Sequence, residues 1–198
     1  MDNSVYEAPQ AELTEHDEFE LADEEFYIVS TTKFALLYMG TFGLYSIYWF
    51  YRNWKVYKMK NGEDIWPVAR GIFNIFFAHS LFNYVNSAIE NKSLEHKWSP
   101  NGLATMYVLL AIFSQIFEKL ANKSIGSPVT DVISILTIPA ACFILAKAQN
   151  AINISQSDPE GKRNTSFTWI NYIWCTAGFV LWLAVAVGFA DMFGLIQL

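Results

Sequence analysis

Four polar side chains on one predicted apolar helix are the residues of this sequence best placed to do chemistry. Positions i, i+4, i+7 and i+11 of that helix are occupied by His79, Asn83, Asn86 and Glu90. At about 100° per residue, this spacing places all four side chains in one stripe. Ionisable groups inside a bilayer cost free energy and usually face other helices or a cavity. The stripe therefore fits a proton path, ligand site or metal site built on His79 and Glu90, or a set of hydrogen bonds that holds helices together.

The sequence lacks the motifs of common catalytic sites. It contains no His-Glu-x-x-His zinc motif, no Gly-x-Ser-x-Gly nucleophile turn and no phosphate-binding Gly-rich loop that ends in Lys-Ser or Lys-Thr. The three histidines, His16, His79 and His96, are far apart in the chain. Both cysteines, Cys142 and Cys175, stand in apolar runs and are typical of core residues. We therefore expect neither an enzyme nor a cofactor or metal site.

The N-terminal segment is acidic. Residues 1–25 hold ten carboxylates and no Lys or Arg, and they show no apolar periodicity. Such a segment buries too little apolar surface to offset the entropy of ordering, so we predict a disordered tail over residues 1–26. Within it, Tyr6 and Leu13 are isolated apolar anchors, and Pro9 favours extended backbone. Tyr6, Pro9 and Leu13 therefore mark a candidate docking peptide for a protein partner; the alternative is a plain tail.

The composition of the whole chain indicates lipid as a solvent. Apolar residues make up 53% and charged residues 16% of the 198 residues, whereas about a quarter of a soluble domain is charged. The aromatic share of 17% fits side chains that concentrate where hydrocarbon meets headgroups. Beyond the tail, residues 26–198 carry thirteen basic and nine acidic groups, and nothing in them resembles a nucleic-acid-binding patch. The bilayer is therefore the expected partner, and nucleic acid is not.

The apolar runs predict an all-α membrane domain over residues 27–198, a polytopic helical bundle with five spans. Each run is long enough to cover the hydrocarbon core at about 1.5 Å per residue. The predicted spans are residues 34–51, 68–88, 103–120, 129–148 and 167–190. The first is ambiguous because Gly40 and Gly43 stand in its middle. A helix broken there could turn back as a re-entrant hairpin instead of crossing once.

The basic residues between the first two spans predict the orientation. Arg52, Lys55, Lys58 and Lys60 stand together, and cytoplasmic loops are enriched in Lys and Arg, so we place this loop in the cytoplasm. If the first span crosses once, the acidic tail lies outside. If it is re-entrant, the tail lies inside.

One segment carries a resemblance to known proteins. It reads Thr41-Phe42-Gly43-Leu44-Tyr45, then Tyr48-Trp49-Phe50-Tyr51-Arg52-Asn53-Trp54. This TFGxYxxYWFYRNW-type segment resembles a family of bacterial multi-pass membrane proteins defined by a domain of unknown function, over about residues 27–85. The tail run from Tyr6 to Leu13 is similar to the start of several kinds of bacterial inner-membrane protein. The resemblance implies the bacterial inner membrane as location; it implies no activity and no catalytic residues.

These features favour a non-catalytic interaction or envelope-organising component of the inner membrane. The alternative is a small transporter or channel subunit that uses the stripe at His79, Asn83, Asn86 and Glu90. The two functions differ in one structural respect. A transport path requires a wet cavity beside the stripe, whereas an interaction component packs the stripe against another helix.

Overall fold

The computed structural model describes residues 24–196, and this part of the chain contains seven α-helices and no β-strand. The predicted all-helical architecture is therefore confirmed for these residues. The helices are α1 (Thr31–Gly40), α2 (Tyr45–Asn61), α3 (Pro67–Ile72), α4 (Asn74–Asn91), α5 (Pro100–Ala121), α6 (Val129–Ser155) and α7 (Trp169–Met192), with a short 3₁₀ turn at Lys162–Asn164 before α7.

Three of these helices, α5, α6 and α7, are long and apolar enough to cross a membrane. They coincide with the last three predicted spans, although α6 continues to Ser155, beyond the predicted end at residue 148. Few of the side chains in α7 are buried, and its surface carries large apolar groups such as Phe179, Leu181 and Val187. A helix that is apolar on all sides and unburied by protein is suited to lipid.

The first predicted span is not one helix, because the chain turns between α1 and α2. Phe42 and Gly43 adopt left-handed φ angles of 52° and 86°, which end α1. The Thr41 hydroxyl donates to the Leu37 carbonyl at 2.7 Å and accepts from the Tyr45 backbone N–H at 2.9 Å. One side chain thus bridges the last turn of α1 and the start of α2, and it gives the first N–H of α2 the acceptor that the helix itself does not supply.

Helices α1 and α2 run antiparallel as a hairpin. The rings of Phe34 and Trp49 lie 5.6 Å apart. Further from the turn, the Tyr27 backbone N–H donates to Asn53 Oδ1 at 3.1 Å. Both ends of the segment 34–51 therefore lie at the same end of the molecule. The structure differs here from a single crossing and has the geometry of the re-entrant alternative.

The second predicted span, residues 68–88, is also divided. Helix α3 begins with Pro67 at its first turn and ends at Phe73, whose φ and ψ of −95° and 37° are not helical. The Arg70 guanidinium lies 4.3 Å from the centre of the Trp54 ring, which holds α3 against α2. Helix α4 then runs back along α2 until Tyr84 stacks on Tyr57, with ring centres 4.7 Å apart.

Two glycines allow the α1–α2 hairpin to lie directly against α7. A Cβ atom on Gly178 would collide with the carbonyl group of Gly40. Beside this contact, the Trp182 indole N–H donates to the Met39 carbonyl at 2.9 Å, and its ring stacks on Phe42 at 4.7 Å. Small residues at this crossing let the two backbones approach closely, as membrane helices often do.

Candidate functional site

The predicted polar stripe lies where α4 packs against α5. The His79 Nε2 atom lies 3.0 Å from the Thr105 hydroxyl, and the Asn83 side-chain amide donates to Asn101 Oδ1 at 3.0 Å. These partners belong to the first turns of α5, so the two residues join the antiparallel helices.

The second half of the stripe pairs within α4 and with the following loop. The Asn86 side-chain amide donates to Glu90 Oε1 at 2.7 Å and accepts from the Trp98 indole N–H at 3.0 Å. His79 and Asn86 are half-buried, whereas Asn83 and Glu90 are exposed. Every member of the stripe thus has a polar partner in the protein. This arrangement favours interhelical hydrogen bonds over a proton path, ligand site or metal site.

The candidate docking peptide at Tyr6, Pro9 and Leu13 lies outside the described residues. The predicted boundary of the tail at residue 26 differs from the structure, because Phe26 is fully buried. The chain bends at Glu25 and Phe26 and then runs without regular structure to Ser30, and Phe26, Tyr27, Ile28 and Val29 are all buried. We call residues 24–30 the strap, and the end of the molecule that holds it the strap end.

Side-chain amides bind the backbone of the strap. Asn53 accepts the hydrogen bond from Tyr27, as described above. Gln149 donates to the Tyr27 carbonyl at 3.2 Å, and Asn153 donates to the Val29 carbonyl at 3.0 Å. A buried non-helical backbone must find such partners, since unpaired N–H and C=O groups cost free energy. The side-chain amides at the end of α6 therefore take the place of the backbone hydrogen bonds that a neighbouring β-strand would supply.

The same amides bond to each other and to α2. Gln149 accepts from the Trp49 indole N–H and donates to Asn153 Oδ1 at 2.7 Å. Asn53 in turn donates to the Trp49 carbonyl at 2.9 Å. Trp49, Asn53, Gln149 and Asn153 are fully buried. A buried network in which each member is satisfied specifies one arrangement of its helices.

The loop between α6 and α7 closes over the strap from the other side. Asn164 donates to the Ile28 carbonyl at 2.9 Å and accepts the Ser30 backbone N–H through its own carbonyl at 3.2 Å. Arg163 contacts Glu24 at 3.2 Å and donates to the Gln156 carbonyl at 2.6 Å. The strap is therefore held along its length, including its first residue.

Asp158 shapes this loop. Its carboxylate accepts the backbone N–H groups of Lys162 and Arg163, each at 2.9 Å. Partial desolvation raises the pKa of Asp158, but these two hydrogen bonds and the nearby positive charges outweigh it and hold the pKa below its usual value. The ionised carboxylate thus keeps Arg163 in position to reach the strap.

A cavity of about 590 Å³ opens beside the strap, a size in the range of small-molecule sites. It lies between the α1–α2 hairpin, the loop at Asn164 and the first turns of α7. Its walls are mostly aromatic and apolar, with two cations, Lys33 and Arg52. The lining residues are Tyr27, Lys33, Leu37, Thr41, Leu44, Tyr45, Tyr48, Arg52, Asn164, Thr168, Ile170, Asn171 and Trp174.

Among residues 24–196, the two cations of the cavity have no carboxylate partner. No Asp or Glu lines the cavity, and the ion pairs found among residues 24–196 involve only Lys162 and Arg163 as cations. Lys33 is only 6% exposed. Its ammonium donates to Asn164 Oδ1 at 2.6 Å and to the Ser166 carbonyl at 2.5 Å. The cavity therefore carries net positive charge.

Two polar atoms beside the cavity make no hydrogen bond of good geometry within residues 24–196. They are the Tyr45 hydroxyl and the Arg52 Nε, both buried, and the Tyr45 hydroxyl lies near that of Tyr27. Buried polar groups are nearly always paired, so each exception calls for a physical explanation. Both side chains line the same cavity.

Sequence reasoning missed the strap and the cavity. A signal for the amides was present, because Gln149 and Asn153 stand four residues apart and share a helix face, just where the fourth apolar run becomes polar. We read that point as the end of a span. Lys33 and Arg52, by contrast, line one cavity only because α1 and α2 form a hairpin. Local amino-acid composition does not distinguish such a hairpin from a single crossing.

No group of three or more His, Cys, Asp or Glu side chains that could hold a metal ion occurs among residues 24–196. Cys142 is buried and Cys175 half-buried, and both are free thiols. In comparisons with known proteins, no protein-family model, no curated protein and no solved structure matches this chain.

Proposed function

We propose that the protein is a non-catalytic interaction component of the bacterial inner membrane that displays its acidic N-terminal tail in the cytoplasm. The observation that carries this proposal is the strap. Amide side chains from three parts of the chain hold its backbone, so the tail that precedes it leaves the protein at a defined point. The resemblance of residues 27–85 to multi-pass bacterial proteins supports the bacterial inner membrane as the location.

The proposed topology has three crossings, by α5, α6 and α7, in place of five. Helices α1 to α4 form two shorter hairpins packed on the strap end. This arrangement separates the basic residues far more sharply than five crossings do. Lys92 donates to the carbonyl of Ser155 at 2.6 Å, which places its loop at the strap end. The basic side chains of that end include Lys33, Arg52, Lys55, Lys58, Lys60, Lys92, Lys97, Lys162 and Arg163.

The opposite end has much less positive charge. In the last turn of α5 and the loop to α6, only Lys119 and Lys123 are basic. By the positive-inside rule, the strap end therefore faces the cytoplasm, and the tail with its candidate docking peptide lies there too.

The alternative of a transporter or channel subunit depended on the polar stripe. That stripe is hydrogen-bonded to α5 and the adjoining loop, which favours a structural role for it. We therefore base the interaction function on the tail, not on the stripe.

Site-specific photocrosslinking in living cells tests the interaction. A photoreactive phenylalanine at Tyr6 or Leu13 is expected to give one discrete protein adduct. A variant in which residues 5–13 are scrambled, with the same composition and charge, is the matched control and should give none. No adduct in the native order, or the same adducts from the scrambled tail, would contradict a docking peptide.

A further inference from the structure

The cavity beside the strap has the chemistry of a binding site, although the proposed function makes no use of it. We propose that it binds the phosphate group of an anionic lipid, with the acyl chains directed along α7. This inference is independent of the tail, because it rests on the charge and the shape of the cavity.

Lys33 retains a donor for a ligand. An ammonium group has three N–H donors, and Asn164 and Ser166 accept two of them. Those two acceptors are neutral, so they orient the ammonium without cancelling its charge. A buried cation without a counter-ion is costly, and an anionic ligand would supply the missing negative charge.

Arg52 supplies a second cation. Its guanidinium lies 5.1 Å from the centre of the Tyr27 ring, which orients its plane, and its side chain lines the cavity. The Tyr45 side chain, only 8% exposed, forms part of the same wall. A guanidinium and an ammonium around one space suit the several acceptor oxygens of a phosphate.

The cavity is amphipathic along its length. Its charged end is where Lys33 bonds to Asn164 and Arg52 packs on Tyr27. One and two turns further along α1 the wall continues with Leu37 and Thr41. On α7 the wall of the cavity continues to the apolar ring of Trp174. A free inorganic ion would leave most of the volume of about 590 Å³ unused, whereas a lipid fills both parts.

The charged end lies at the depth of lipid headgroups. Helix α7 starts at Trp169, and the side chains of Trp169 and Tyr172 are 71% and 62% exposed. Such rings mark the boundary between hydrocarbon and headgroups. Thr168 and Asn171 in the same turn line the cavity. Basic pockets between helices at this depth are suited to anionic headgroups.

Native mass spectrometry of the full chain in detergent, titrated with phosphatidylglycerol, tests the site. We expect one phosphatidylglycerol to bind at least about tenfold more tightly than phosphatidylcholine, whose headgroup is neutral overall. Loss of one hydrogen bond to a charged group weakens binding about tenfold or more. Arg52→Gln should produce that loss. Lys97→Gln, an exposed cation outside the cavity, is the matched control and should change nothing.

Arg52→Gln keeps the test interpretable, because Arg52 packs on the Tyr27 ring and takes part in none of the ion pairs of residues 24–196, so its loss should change the melting temperature little. Millimolar inorganic phosphate, added as a separate arm, should not displace the lipid. Equal binding of both lipids, or affinity unchanged in Arg52→Gln, would overturn the site. Displacement by inorganic phosphate would overturn the assignment to a lipid.

Discussion

The backbone N–H of Tyr27 donates to Oδ1 of Asn53 at 3.1 Å, although the whole first predicted span lies between these two residues. The contact requires the chain to go into the membrane domain through α1 and come back through α2. It therefore places the strap and the basic segment after Arg52 at one end of the molecule. The sidedness of the tail follows from this relationship.

The amide network predicts a large effect of one buried substitution. Gln149→Leu removes the acceptor of the Trp49 indole and the donor to the Tyr27 carbonyl, and leaves both groups buried without a partner. We expect a loss of about 2–4 kcal/mol in the free energy of unfolding, measured by denaturation in mixed detergent micelles. Gln115→Leu changes an exposed amide on α5 and should not destabilise the protein. Equal effects of the two substitutions would show that the network contributes little.

The close approach of α1 and α7 predicts a contrast between two glycines of one helix. Gly178→Ala forces a methyl group against the Gly40 carbonyl, and such overpacking costs about 1–3 kcal/mol. Gly188→Ala meets no atom within 4 Å and should change stability by less than about 1 kcal/mol. The stabilities of the two purified variants are compared through their melting temperatures. A harmless Gly178→Ala would mean that α1 and α7 do not touch here.

These contacts show which parts of the fold can be predicted from amino-acid composition. Three long apolar runs became α5, α6 and α7 because apolar length alone decides a crossing. The first run contained two helix-breaking residues, Gly40 and Gly43. A hairpin and a single crossing nevertheless have the same hydropathy profile, so hydropathy could not decide between them. The strap escaped prediction because most of its partners, among them Gln149 and Asn164, lie more than one hundred residues away. A four-residue apolar run has no periodicity that could indicate them.

The stripe on α4 is expected to be structural. Interhelical hydrogen bonds of this kind contribute about 0.6 kcal/mol on average, so His79→Leu and Asn83→Leu should each lower stability by about 1 kcal/mol or less. Any cellular phenotype of the gene should survive both substitutions. A folded, inserted His79→Leu variant that loses the phenotype would instead support a transport site.

The loop at Asp158 predicts a dependence on acid. Because the pKa of Asp158 is lower in the folded protein than its usual value of about 3.9, its ionised form stabilises the fold above that value. This stabilisation is lost as the pH falls through the folded pKa. Asp158→Asn should lower stability at pH 7 and show a smaller further loss between about pH 5 and pH 3. Parallel curves for the two proteins in thermal melts at each pH would exclude this role.

The sidedness of the strap end is tested most directly by single cysteines in a variant that lacks Cys142 and Cys175. Ser4→Cys probes the tail, Asn61→Cys the basic loop, and Asn122→Cys the opposite end. With an impermeant thiol reagent on intact spheroplasts, we predict labelling of Asn122→Cys alone, and labelling of all three after lysis. Labelling of Ser4→Cys with Asn61→Cys protected would put the tail outside, and would contradict the hairpin on which this account is built.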